Sequence, residues 1–111
     1  MEEIKQITDL ITATIPEDCF GLLVEIDFYT REIGFRIQGD GLDSSGCFVK
    51  YMNYGDLSDF ISTAIHSWNF KTINTPGRWN KSRFVVYKDG RTEVKTWWDQ
   101  EFQRSLYLDA E

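Results

Sequence analysis

The sequence predicts an α+β domain: an antiparallel sheet of about five strands, two helices packed on one face, and a short C-terminal helix. Three observations predict it. Phe20 to Tyr29 and Ser82 to Trp98 alternate apolar and polar residues with the period of a half-buried strand. Ile4 to Ile15 and Leu57 to Trp68 instead repeat apolar residues every three or four positions, the helical period. One-sided strands and one-sided helices hide their apolar faces by stacking as two layers. The 111 residues suffice for one such domain, spanning 1–111, and are too few for two.

The first helix runs from about Glu2 to Thr14, with Ile4, Ile7, Ile11 and Ile15 as its stripe. Glu2 and Glu3 suit its positive end, and Pro16 ends it by biasing Ile15 away from helical angles. In the first strand Phe20, Leu22, Val24, Ile26 and Phe28 face one way, and Gly21, Leu23, Glu25, Asp27 and Tyr29 the other. The second strand sets Ile33, Phe35 and Ile37 against Gly34, Arg36 and Gln38. A turn centred on Thr30 and Arg31 predicts Phe28 opposite Ile33, Ile26 opposite Phe35, Val24 opposite Ile37 and Glu25 opposite Arg36.

Gly39 to Gly46 reads as a loop. Its Asp40 and Asp43 lack the spacing and closing Glu of a calcium loop. Cys47 to Met52 reads as a third strand, central or buried on both sides. Gly55-Asp56 opens the second helix, with Asp56 as N-cap and Asp59 in the first turn. Leu57, Phe60, Ile61, Ala64, Ile65 and Trp68 form its stripe, and Ser58, Ser62, Thr63 and His66 its polar side. Asn69 to Lys81 is a polar loop with Pro76-Gly77 and Trp79; loops of that length are often functional.

Lys88-Asp89-Gly90 then marks a hairpin. Gly90 suits the left-handed position of a three-residue loop, a type I turn closed by a bulge. That loop pairs Tyr87 with Arg91, Val86 with Thr92 and Phe84 with Val94. One face gathers Phe84, Val86, Thr92, Val94 and Trp98; the other carries Val85, Tyr87, Arg91, Glu93, Lys95 and Trp97. Asp99 caps the last helix, where Phe102 and Leu106 can pack.

Composition narrows the function. Residues 1–66 hold twelve Asp/Glu against four Lys/Arg, and residues 67–111 hold six against eight. The acidic half is either a solvated face or an interaction surface. Phosphate-backbone binding needs a basic patch, so nucleic acid is not the expected direct partner. No run of 18 apolar residues exists and the first residues lack a signal-peptide pattern, so the chain is expected in the cytoplasm, with Cys19 and Cys47 reduced.

No cofactor or metal is expected. The single His, His66, lies on a polar helix face and reads as a surface residue. Zinc-type Cys/His spacing, a P-loop and GxGxxG are missing. Glu93-Val94-Lys95 resembles half of a metal-dependent nuclease motif, but the required upstream Asp is not placed to share a metal. Alternating charges on a wet strand explain it better. The chain therefore reads as a non-enzyme.

The wet sheet face reads as a binding surface. Tyr87 and Trp97 stand opposite the core stripe with Leu23 and Val85, ringed by Glu25, Asp27, Glu93 and Lys95. Aromatic anchors ringed by charge concentrate binding energy at protein interfaces. The competing reading is a C-terminal segment folded back over Trp97.

The opening IKQITDLITATIPEDCFGLLVEIDFYTREIGFRI and the closing DGRTEVKTWWDQEF resemble the YezG-type immunity proteins, the antitoxin partners of polymorphic and contact-dependent growth inhibition toxins. The resemblance spans most of the chain and rests on pattern. It implies a non-enzymatic toxin inhibitor with no catalytic residues. The expected partner is a cognate toxin domain, a basic nuclease, met by Glu25, Asp27, Asp40, Asp43, Asp56, Asp59, Trp79, Tyr87 and Trp97. The alternative is a small protein- or ligand-binding module unrelated to toxins.

Overall fold

The computed structural model describes residues 2–17, 19–42, 48–49 and 54–109, with the side chains of 48–49, 54–58 and 60 left out. In chain order the elements are α1 (Glu2–Ala13), β1 (Gly21–Tyr29), β2 (Gly34–Leu42), β3 (Phe48–Val49), α2 (Tyr54–Thr72), β4 (Lys81–Tyr87), β5 (Thr92–Trp97) and α3 (Gln100–Leu106). The fold is α+β. Four long strands and the two-residue β3 form one antiparallel sheet in the order β3-β2-β1-β4-β5. No described helix is long and apolar enough to cross a membrane.

The core lies between the sheet and the pair α1 and α2. Ile7 and Ile11 of α1 and Ile61, Ala64, Ile65 and Trp68 of α2 pack on Leu22, Val24, Ile26 and Phe28 of β1 and Phe84 and Val86 of β4. Each such aliphatic side chain contributes roughly 1.5–3 kcal/mol when fully buried. Glu3 adds a polar tie between the helices. Its Oε2 accepts from Ser67 Oγ at 2.8 Å and meets Lys71 Nζ at 2.5 Å. α3 packs on the opposite side of the sheet's end, where Phe102 lies 6.0 Å from the Tyr29 ring and 3.9 Å from Lys81 Nζ. Asp99 caps it, accepting from Phe102 N at 2.9 Å.

The β4–β5 hairpin has the expected register, Val86 opposite Thr92 and Phe84 opposite Val94. Tyr87 N donates to Arg91 O at 2.9 Å, and Gly90 takes φ +96°. Asp89 Oδ1 accepts from Arg91 N at 3.0 Å and also meets its guanidinium. Those contacts, the backbone bond foremost, hold its carboxyl below the usual range. However, the helices do not extend over β5. Val94, expected in the core, is 38% exposed. Trp98 lies beyond the strand, with Arg78 Cζ 4.1 Å from its ring centroid.

Several expectations are corrected. The β1–β2 register is two residues longer: Phe28 faces Phe35, Ile26 faces Ile37, and Asp27, not Glu25, faces Arg36. Ile33 leaves the strand, takes φ +52° in the turn and is 69% exposed. β2 runs on through Gly39–Leu42, which pair with Val24–Gly21, so half of the expected loop is strand. Asp43 lies outside the described residues. β3 is not central: its described residues, Phe48–Val49, sit at the sheet's edge beside β2, and the rest of the expected Cys47–Met52 strand lies outside the described residues. α2 begins at Tyr54, so Asp56 is inside its first turn rather than capping it, and the helix continues through Asn69–Thr72. The expected loop thereby shortens to residues 73–80.

Candidate protein-binding surface

Strand pairing arranges the sheet face opposite α1 and α2, which α3 covers only at its Tyr29–Lys81 end, as cross-strand rows. From β2 to β5 they read Arg36–Asp27–Lys81–Trp97, then Gln38–Glu25–Arg83–Lys95, then Asp40–Leu23–Val85–Glu93. A fourth row, Leu42–Gly21–Tyr87, closes the face near the hairpin turn. Gly21 is required there: a Cβ would stand 2.3 Å from Val86 O.

Pairing decides what each predicted residue can do. Asp27 is buried between two cations, with Arg36 Nη2 at 2.7 Å and Lys81 Nζ at 2.9 Å. It is a structural carboxylate rather than an available one. Glu25 meets Arg83 Nη2 at 3.3 Å and keeps part of its surface in solvent. Asp40 is half-buried and Asp59 exposed. The side chain of Asp56 is outside the described set. Four carboxylates on this face stand among Arg36, Lys81, Arg83 and Lys95, so the face is charge-balanced rather than acidic.

The aromatics divide. Tyr87 and Trp97 are both half-buried on this face. The Phe20 ring meets Tyr87 edge-on at 5.9 Å, Arg91 Cζ lies 4.3 Å above it, and its Oη reaches Glu93 Oε2 at 3.4 Å. Lys95 Nζ sits 5.6 Å from the Trp97 ring. Trp79 is 1% exposed and belongs to the core instead. Its ring lies 4.4 Å from Trp68 and 5.8 Å from Phe28, and Asn69 Nδ2 donates to its carbonyl at 2.9 Å. As core packing it is not a surface anchor.

A second feature was not predicted. At the β1–β2 turn, Ile33, Phe70 and Ile73 stand exposed around a groove of about 120 Å³ floored by Phe28 and His66. His66 is correspondingly more than a surface residue. Its ring lies between Phe28 and Phe35 at 5.9 and 5.6 Å, and Nε2 is 3.1 Å from Ile33 O. The far side of the turn is held by α3's end: Tyr107 Oη accepts from Arg31 N at 3.2 Å and bonds Glu32. Exposed apolar clusters mark interaction sites more often than isolated apolar residues do. The only sequence signal was Phe70, which falls off the α2 stripe.

Among the described residues no group of three or more His, Cys, Asp or Glu is arranged to hold a metal ion. No protein-family model matches the chain, and no curated protein matches it.

Proposed function

We propose that this chain is a non-enzymatic immunity protein of the YezG type, acting in the cytoplasm by binding and neutralising a toxin domain. A basic nuclease is the partner that the acid excess of residues 1–66 as a whole, rather than the charge-balanced sheet face, suits best. The observation that carries the binding part is the sheet face left uncovered by α1 and α2, with Tyr87 and Trp97 half-exposed on β4–β5 beside rows of paired charge. Anchors of that kind, rimmed by charge, supply affinity while the charges set orientation. The groove at Ile33, of about 120 Å³, suits one inserted side chain of a protein partner.

The test is to express the chain with the product of the neighbouring gene and follow binding at low and high salt. Charge reversal of Glu25 or Asp40 should slow association, more at low salt. Trp97→Ala should speed dissociation with little salt dependence. No complex with the neighbouring product would remove the immunity reading. A partner with an acidic contact surface would remove the nuclease alone.

A further inference from the structure

Among the described residues, the β5 strand ends the sheet with an edge that pairs with no other strand. Thr92 to Thr96 are all exposed, and the strand holds no proline. Tyr87 N donates to Arg91 O, which fixes the alternation along the hairpin. Glu93 and Lys95 therefore turn their backbone groups toward β4. Thr92, Val94 and Thr96 turn theirs outward, each offering one N–H and one C=O. Such a row is a template for another strand, and natural proteins usually blunt it with charge, proline or a bulge.

Here the charges do the opposite. The segment Thr92-Glu93-Val94-Lys95-Thr96 is complementary to itself read backwards. An antiparallel copy centred on Val94 sets Val94 against Val94 and Thr92 against Thr96. It also sets Glu93 against Lys95, twice. The outward-facing residues then form the hydrogen-bonded pairs. Glu93 and Lys95 fall in the close, non-hydrogen-bonded positions, where Cα atoms are about 4.5 Å apart and opposite charges stabilise. The neighbouring registers that keep this alternation fail. Centring on Glu93 opposes two glutamates and sets Lys95 against Arg91, while centring on Lys95 opposes two lysines. Val94, left 38% exposed in the single chain, gains its twin as cover.

From this we propose that the chain forms a two-fold dimer through β5, joining two five-stranded sheets into one continuous sheet. The partner at this edge is a second copy of the chain, whatever the sheet face binds. The two-fold axis runs perpendicular to the sheet, so both binding faces lie on the same side. Trp97 of each copy then comes opposite Arg91 of the other.

Light scattering after gel filtration over a wide concentration range should show a mass rising from 13.0 kDa toward twice that value. Val94→Pro removes only an edge-facing N–H, so the hairpin keeps its ladder; this variant should stay at 13.0 kDa with an unchanged circular dichroism spectrum. Glu93→Lys alone, or Lys95→Glu alone, places like charges across the dyad and should weaken the dimer roughly ten-fold. An equal mixture of those two variants should form heterodimers, because each then supplies the charge the other lacks. The mixing arm does not depend on whether Val94→Pro folds. A mass of 13.0 kDa at every concentration would overturn the proposal. So would a dimer indifferent to the charge variants, or a mixture no more associated than its parts.

Discussion

Replacing Trp79 by alanine separates a core tryptophan from a surface one. The side chain is 1% exposed and packs against Trp68 at 4.4 Å and Phe28 at 5.8 Å. Removing a buried aromatic of this kind costs about 3–5 kcal/mol, the lost transfer energy plus the cavity left behind. Unfolding entropy near 2.1 cal/mol/K per residue, over 111 residues, gives about 0.23 kcal/mol/K. The midpoint should therefore fall by roughly 13–21 °C. Trp97→Ala, made on a half-exposed ring, should move it by only about 2–4 °C. Thermal melts followed by circular dichroism measure both. A Trp79→Ala midpoint within a few degrees of the parent would refute the placement of Trp79 in the core.

Two further outcomes follow from polar contacts. The Glu3 carboxyl is held down to about 2 by its bond to Lys71, foremost, and then by Ser67. Because its folded value lies below the unfolded one of 4.5, its contribution is full above that pH and fades as pH falls toward about 2. Glu3→Gln should flatten the fall in melting temperature over that window, and an unchanged acid slope would discount the Glu3–Lys71 tie. His66→Ala removes the Ile33 carbonyl bond and two ring contacts, so a loss of about 1–2 kcal/mol is expected, with faster amide exchange in the 30–33 turn. Unaltered stability would return His66 to the surface role its polar helix face suggests.

Legibility in the sequence followed how locally each feature is encoded. The β4–β5 hairpin was readable because Gly90 marks a left-handed position that few other residues take. The β1–β2 turn carries no such mark; Ile33, a β-branched residue, occupies the left-handed position instead. A slip of two residues keeps every side chain on its own face, so hydrophobic alternation could not choose between the two registers. The observed one brings Asp27 between Arg36 and Lys81, a pairing that needs strands on both sides of β1. Trp79 was misplaced for the same reason. Its polar neighbours describe a loop, while its packing partners come from Trp68 and Phe28, elsewhere in the chain. The apolar groove showed in the sequence only as Phe70 off the α2 stripe, because Ile33 and Phe70 meet only once the turn reaches the end of α2.

The sheet order β3-β2-β1-β4-β5 also governs how the chain reaches its native state. Each hairpin closes locally, but the central seam joins residues far apart, from Asp27–Lys81 to Gly21–Tyr87. The whole of α2 lies inside that closure. The seam thus carries most of the entropy of chain closure, and long-range pairing of this sort slows folding relative to helical bundles. On a ribosome, β1 and β2 must wait, paired with each other but open along the β1 edge, until β4 has emerged. For that interval the buried strand is an exposed one, and the first half of the chain is at its most vulnerable to aggregation.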